Sequence, residues 1–97
     1  MENKENKNTY CPDIVIPPGA TLREVLDNLN MTQKELANRM GRPQKTISEI
    51  INGKSALTPE TALQLERVVK VPADFWNRLE ANYRNDLARI AEAEYLI

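Results

Sequence analysis

Residues 32–54 read TQKELANRMGRPQKTISEIINGK, and the spacing of their small and apolar residues is typical of a helix-turn-helix. Ala37 is placed where two helices approach most closely, and Gly41 follows it where the turn needs a left-handed residue. Ile47 and Ile50 then face inward and set the steep angle of the next helix. The pattern favours a DNA-binding type of helix-turn-helix over a chance helical hairpin. It predicts a protruding helix that begins near Pro43.

Apolar periodicity predicts further helices on both sides of this motif. The pairs Thr21–Glu24 and Thr32–Glu35 have the spacing of capping boxes, and Thr58 precedes a proline at a fourth helix start. The core side of the first helix is expected to be Leu22, Val25, Leu26 and Leu29, and that of the fourth helix Ala62, Leu63, Leu65, Val68 and Val69. A fifth helix is expected from about Ala73 to Ala93. The fold class is therefore all-α, a compact five-helix bundle with an extended C-terminal helix.

The sequence divides into three parts: a flexible or extended segment over 1–16, a helix-turn-helix domain over 17–83, and a C-terminal helix extension over 84–97. The alternating residues 10–16 are open to three interpretations: a strand paired across a dimer, a partner-binding segment, or a lead-in. Pro17, Pro18 and Gly19 are expected to end that segment.

The fifth helix carries a continuous apolar stripe. The stripe consists of Trp76, Leu79, Tyr83, Leu87 and Ile90, which step by three, four, four and three residues. Its first half can cover the small core, whereas the second half extends beyond a domain of this size. We expect Leu87, Ile90 and Tyr95 to pack on a second chain or on sequence beyond this one, the alternative being a frayed helix end.

The composition excludes several classes of function. The 97 residues include no histidine and a single cysteine, Cys11, so His-dependent catalysis and the zinc sites built from histidine or several cysteines are excluded. We therefore expect no enzyme, no metal and no cofactor. One cysteine cannot form an internal disulfide, which favours a reducing, cytoplasmic compartment. No apolar run is long enough to span a membrane, and the polar start MENKENKN lacks the features of a signal peptide.

Positive charge is concentrated in the middle of the chain, although the net charge is −1. Residues 33–55 contain five basic and two acidic residues, an excess of +3, whereas each flank carries −2. This distribution is compatible with double-stranded DNA as a partner, but an excess of +3 also fits a solvated helical surface.

The outward face of the recognition helix supplies the candidate base readers. Gln44 can pair with adenine and Lys45 with guanine, while Ser48 can contact either. Glu49 and Asn52 complete that face, although a glutamate near DNA more often repels phosphate. Contacts to phosphate are expected from Gln33, Lys34, Thr46, Lys54 and Ser55, because they lie at a helix start or beside the recognition helix.

The chain resembles the HigA-type antitoxins, a branch of the XRE helix-turn-helix family. The resemblance rests on PPGATLREVL, MTQKELANRMGRPQKTISEIINGKSALTPETALQLE and VPADFWNRLEANYR, which lie between Pro17 and about Tyr83. It implies a lambda-repressor-like bundle that dimerises and binds a palindromic operator in its own promoter. It also implies that the protein neutralises an mRNA-cutting toxin of RelE-like fold. In that family the tryptophan-bearing region and the later helix contribute to the dimer, which corresponds to Trp76, Leu79 and Tyr83 here.

Two hypotheses follow from the sequence. The first is a dimeric transcriptional repressor that also binds a toxin. The second is a protein-interaction module whose helix-turn-helix no longer reads DNA, or the N-terminal DNA-binding part of a longer regulator.

Overall fold

Five α-helices form the regular structure of residues 15–96, the part of the chain that the computed structural model describes. They are α1 (Pro18–Leu29), α2 (Gln33–Met40), α3 (Gln44–Ile51), α4 (Pro59–Val69) and α5 (Ala73–Leu96). No strand occurs among these residues, and the predicted all-α five-helix fold is confirmed. Most of the predicted extended segment, residues 10–14, lies outside the described residues, and 15–17 have no regular structure.

Two of the predicted helix starts are confirmed by their capping bonds. The Thr32 side chain accepts a hydrogen bond from the Glu35 amide at 3.0 Å, and Thr58 accepts one from the Thr61 amide at 3.2 Å. Each bond satisfies an amide that has no partner within its helix. Gly41 ends α2 with a φ of 70°, the left-handed conformation that was expected of it.

The start of α1 differs from the prediction. The helix begins at Pro18, after Pro17, and it has no side-chain cap, so the expected Thr21–Glu24 capping box is wrong. The start is set locally, because Pro17 is extended and Pro18 occupies the first helical position, where a proline is well accommodated. Gly19 lies inside this first turn, and its missing side chain lets the turn lie against the backbone of α3. Pro43 likewise differs slightly, because it is the N-cap of α3 and not a residue of its first turn.

The core lies where all five helices meet, with α3 packed on α1 and α2, and α4 packed on α2 and α5. Its buried apolar residues are Leu22, Leu26, Leu36, Ala37, Met40, Ile47, Ile50, Ile51, Leu57, Ala62, Leu65, Val69, Ala73 and Trp76. The prediction that Leu63 belongs to the core is wrong, since 54 % of this residue is exposed. The buried residues of α4 recur at positions 62, 65 and 69, and Leu63 falls outside that face. Leu29 of α1 is also exposed.

Two glutamates fix α5 against the rest of the bundle. Glu66 of α4 accepts a hydrogen bond from the Ala73 amide at 2.6 Å, and Glu80 of α5 accepts one from the Leu57 amide at 3.2 Å. The 24 residues of α5 correspond to about 36 Å of helix. The helix crosses the predicted boundary at 83/84 without interruption and ends three residues later than expected. After Tyr83 no described residue of α5 is buried.

Candidate nucleic-acid interface

The helix α3 presents one side to the core and the other to solvent. Ile47, Ile50 and Ile51 are buried, which anchors the helix from beneath. On the opposite side Gln44 and Lys45 are exposed, one turn before the half-buried Ser48. The structure therefore brings the three predicted base readers together at the N-terminal part of α3, the part that enters the major groove in helix-turn-helix proteins.

Two arginines on either side of the turn before α3 form ion pairs, one of them within α2 and the other with α4. The Arg42 guanidinium lies 3.9 Å from the Glu60 carboxylate of α4, and Arg39 pairs with Glu35 at 2.8 Å. Exposed pairs of this kind contribute little stability.

A chain of hydrogen bonds joins α1 to the outward side of α3. Arg23 Nη2 donates to Asn52 Oδ1 at 3.4 Å, and Asn52 Nδ2 donates to Ser48 Oγ at 3.3 Å. Arg23 was not among the residues predicted from the sequence. The sequence near Arg23 shows only an arginine between the apolar residues Leu22 and Leu26, which does not indicate a role at the interface. Its partner Asn52 lies 29 positions along the chain, so the contact exists only in the folded protein.

The loop after α3 is closed by Glu49. Its backbone carbonyl accepts from the amides of Lys54 at 2.8 Å and Ser55 at 3.2 Å, and its carboxylate accepts from the Ser55 hydroxyl at 3.4 Å. Two residues predicted to contact DNA, Glu49 and Ser55, are thus brought into contact with each other. Lys54 stays exposed at the tip of this loop, and Thr46 is half-buried on the side of α3.

The start of α2 shares a cleft with α1 and the end of α3. This cleft of about 270 Å³ is lined by Arg23, Leu26, Asp27, Met31, Thr32, Gln33 and Ile51. Lys34 follows Gln33 and is exposed. Within residues 15–96 none of Lys34, Lys45 and Lys54 forms an ion pair. Their charges are therefore not neutralised by a carboxylate in this part of the chain.

The residues predicted for a dimer interface divide into two groups. Trp76 is completely buried and Leu79 packs against the same core. Direct contact of Trp76 with a second chain is therefore excluded in this conformation, because the protomer's own core surrounds the side chain. Tyr83, Leu87 and Ile90 are half-buried on the surface of α5, with the Arg84 guanidinium 5.1 Å from the Tyr83 ring centre. The side chain of Tyr95 lies outside the described residues.

The described residues supply no alternative site for metal chemistry. No group of three metal-ligating side chains comes together within 15–96. In the same part of the chain, every helix is too short or too polar to cross a bilayer.

Comparison with known proteins identifies this arrangement. Residues 22–76 match the family model described as Helix-turn-helix. The chain is similar to YddM, an uncharacterised HTH-type transcriptional regulator of Escherichia coli K12, with 36 % identity over 77 residues. That similarity covers 79 % of this chain and 77 % of the relative.

Two solved structures share the fold. One is an addiction module antidote protein of the HigA family from Coxiella burnetii, with a TM-score of 0.79 and 29 % identity. The other is the Pseudomonas aeruginosa antitoxin HigA with the higBA promoter, with a TM-score of 0.78 and 25 % identity. Each comparison covers 84 % of this chain and 90 % of the solved chain.

Proposed function

The chain belongs to the XRE-type helix-turn-helix family of DNA-binding regulators, and from this premise we propose that it represses its own promoter as a dimer. We further propose that it neutralises a toxin of RelE-like fold. The family is a regulatory class and not a class of enzymes.

The observation that carries the proposal is the division of α3 into a buried and an exposed side. Three isoleucines hold the helix, and Gln44, Lys45 and Ser48 project from the other side. Side chains of these types can hydrogen-bond to base edges in the major groove. The flanking Gln33 and Lys34, together with Lys54 in the following loop, are suited to phosphate, which would fix the position of α3 on the duplex.

The first experiment measures binding of the full chain to the DNA upstream of its own coding sequence. Fluorescence anisotropy at two salt concentrations, with a shuffled duplex as control, gives both affinity and preference. We expect tighter binding to the upstream DNA, with Gln44→Ala or Lys45→Ala relaxing that preference while circular dichroism stays unchanged. Equal, weak binding to both duplexes would contradict the repressor function and favour a protein-interaction module.

The dimer is proposed from the C-terminal half of α5. Leu87 and Ile90 remain partly exposed on a face that no described element covers fully. A dimer would place two recognition helices about 34–36 Å apart, as a palindromic operator requires. We expect the double variant Leu87→Asp/Ile90→Asp to be monomeric by light scattering and Ala91→Asp, on an exposed position, to stay dimeric. A wild-type monomer, or a double variant that still dimerises, would contradict this interface.

Toxin neutralisation is supported by the structural similarity to HigA antitoxins. The test is co-expression with any RelE-like protein encoded beside this chain. We expect rescue of growth and co-purification of the two proteins. A toxin that remains active and separate in the presence of this chain would refute the assignment.

A further inference from the structure

The chain of hydrogen bonds from Arg23 through Asn52 to Ser48 has a defined polarity. A guanidinium has only donors, so the group that Arg23 contacts on Asn52 must be the acceptor, Oδ1. The amide nitrogen of Asn52 is then turned toward Ser48, where it donates to Oγ at 3.3 Å. Ser48 Oγ is therefore an acceptor toward the protein.

The hydroxyl proton of Ser48 is left without an acceptor among the described residues. Ser48 lies on the outward side of α3, one turn after Gln44. A hydroxyl that already accepts one hydrogen bond keeps its proton and one further lone pair, so the bond from Asn52 shifts its outward role toward that of a donor. In an interface from which water is excluded, such polarity is costly to reverse.

We propose that Arg23 favours Ser48 as a hydrogen-bond donor toward DNA, and so determines which base is preferred opposite Ser48. This inference rests on the proposed DNA-reading function. The base facing Ser48 is then preferred when it offers an acceptor in the major groove: N7 or O6 of guanine, N7 of adenine or O4 of thymine. Cytosine offers only its N4 donor there and is discriminated against. Arg23 is thus a positioning residue that acts on the bases through Asn52.

The packing of α1 explains why Arg23 can hold this role. Gly19 brings the first turn of α1 against the backbone of Ile51, the residue before Asn52. Arg23 follows four positions later, one helical turn along, between Leu22 and Leu26, which are buried in the core. The position of α1 is therefore fixed, and the helix holds the Arg23 guanidinium beside Asn52.

The test is selection of preferred sites from a randomised duplex library by the full chain and its variants. For wild type we expect cytosine to be depleted at one position in each half-site by about five- to tenfold, as one hydrogen bond supplies. Ser48→Ala should abolish the depletion and thereby identify the position. Arg23→Met should reduce it to less than about twofold at that position alone, while Arg23→Lys, a donor of equal charge, should retain it.

A second variant inverts the prediction. In Asn52→Asp both side-chain oxygens accept, so one can bind Arg23 and the other can take the Ser48 proton. Ser48 then faces DNA as an acceptor, and the preferred base should change to one with a donor, cytosine or adenine. Overall affinity should fall because of the added negative charge, but the preference is measured independently of it.

Either of two results would overturn the inference. In the first, wild type enriches cytosine at the Ser48 position. In the second, Arg23→Met weakens binding to all sequences equally, as the loss of a simple phosphate contact would. Nitrogen-15 NMR of the free protein provides a readout without DNA. Arg23→Met should shift the Asn52 side-chain amide signals and speed their exchange with water, and unchanged signals would also overturn the inference. If wild type selects no sequence while NMR shows the amide held, the proposed function itself is refuted and the role of Ser48 with it.

Discussion

Replacing Gly19 by alanine tests the close contact between α1 and α3. A Cβ at this position would lie 2.3 Å from the Ile51 carbonyl oxygen, 2.4 Å from that of Ile50 and 2.5 Å from the Ile51 Cα. All three are backbone atoms, so no side chain can rotate away. To restore an ordinary contact distance, α1 and α3 would have to separate by about 1 Å, and interiors at native packing density accommodate such shifts poorly.

The expected cost follows from two opposing effects. Forcing one extra methyl into a packed interior costs about 1–3 kcal/mol, and a clash with backbone is at the upper end of that range. Alanine recovers about 0.5–1 kcal/mol through its higher helix propensity. We expect Gly19→Ala to lower the free energy of unfolding by about 2 kcal/mol, which in a domain of this size lowers Tm by about 8–16 °C.

Urea denaturation followed by circular dichroism measures this change. Asn28→Ala, at an exposed position of the same helix, is the control for helix propensity alone and should be neutral or slightly stabilising. If Gly19→Ala is as stable as wild type, or more stable, the close approach of α1 to α3 is not a constraint. In that case this contact does not fix the position of α1, nor that of Arg23 beside Asn52.

Three further predictions concern single interactions. Thr32→Ala and Thr58→Ala each remove a helix cap and should each lower stability by about 1 kcal/mol in thermal denaturation. Only Thr32→Ala should also weaken DNA binding. If both variants weakened binding equally, this result would argue against phosphate contact at the start of α2. Lys54→Ala should reduce the slope of log affinity against log salt by about 0.9, while Arg89→Ala, in the distal part of α5, should leave the slope unchanged. If Arg89→Ala reduced the slope and Lys54→Ala did not, the DNA interface would not lie at α3 and the loop after it. Glu66→Gln should lower stability by about 1 kcal/mol because the amide at the start of α5 exchanges a charged acceptor for a neutral one, and an unchanged Tm would show that the neutral glutamine oxygen accepts the bond equally well.

The features that the sequence predicts well are those set by neighbours within one turn. The caps at Thr32 and Thr58 depend on a side chain and an amide three residues apart, and the turn at Gly41 depends on the conformation of one residue. The isoleucines of α3 follow from helical periodicity. These signals were sufficient to predict the helix-turn-helix and the outward face of its second helix.

The features that the sequence did not predict depend on contacts between distant segments. Thr21 has the same spacing to a glutamate as Thr32 does, but it lies inside α1, whose first turn begins at Pro18 and packs against α3 through Gly19. Leu63 is as apolar as its neighbours, and its exposure depends only on where α2 and α5 lie. Arg23 acquires a role only when folding brings Asn52 beside it.

The anchoring of α3 by three core isoleucines also determines when the outward surface of this helix, the proposed DNA-binding surface, is formed. An eight-residue helix does not persist alone in water, so this surface forms and disappears with the bundle as one cooperative unit. Its amide protons should exchange with deuterated solvent only through global unfolding, whereas those of α5 beyond Tyr83 should exchange through local opening. A protease that trims the end of α5 would therefore leave the recognition surface intact, while any lesion in the core would remove it.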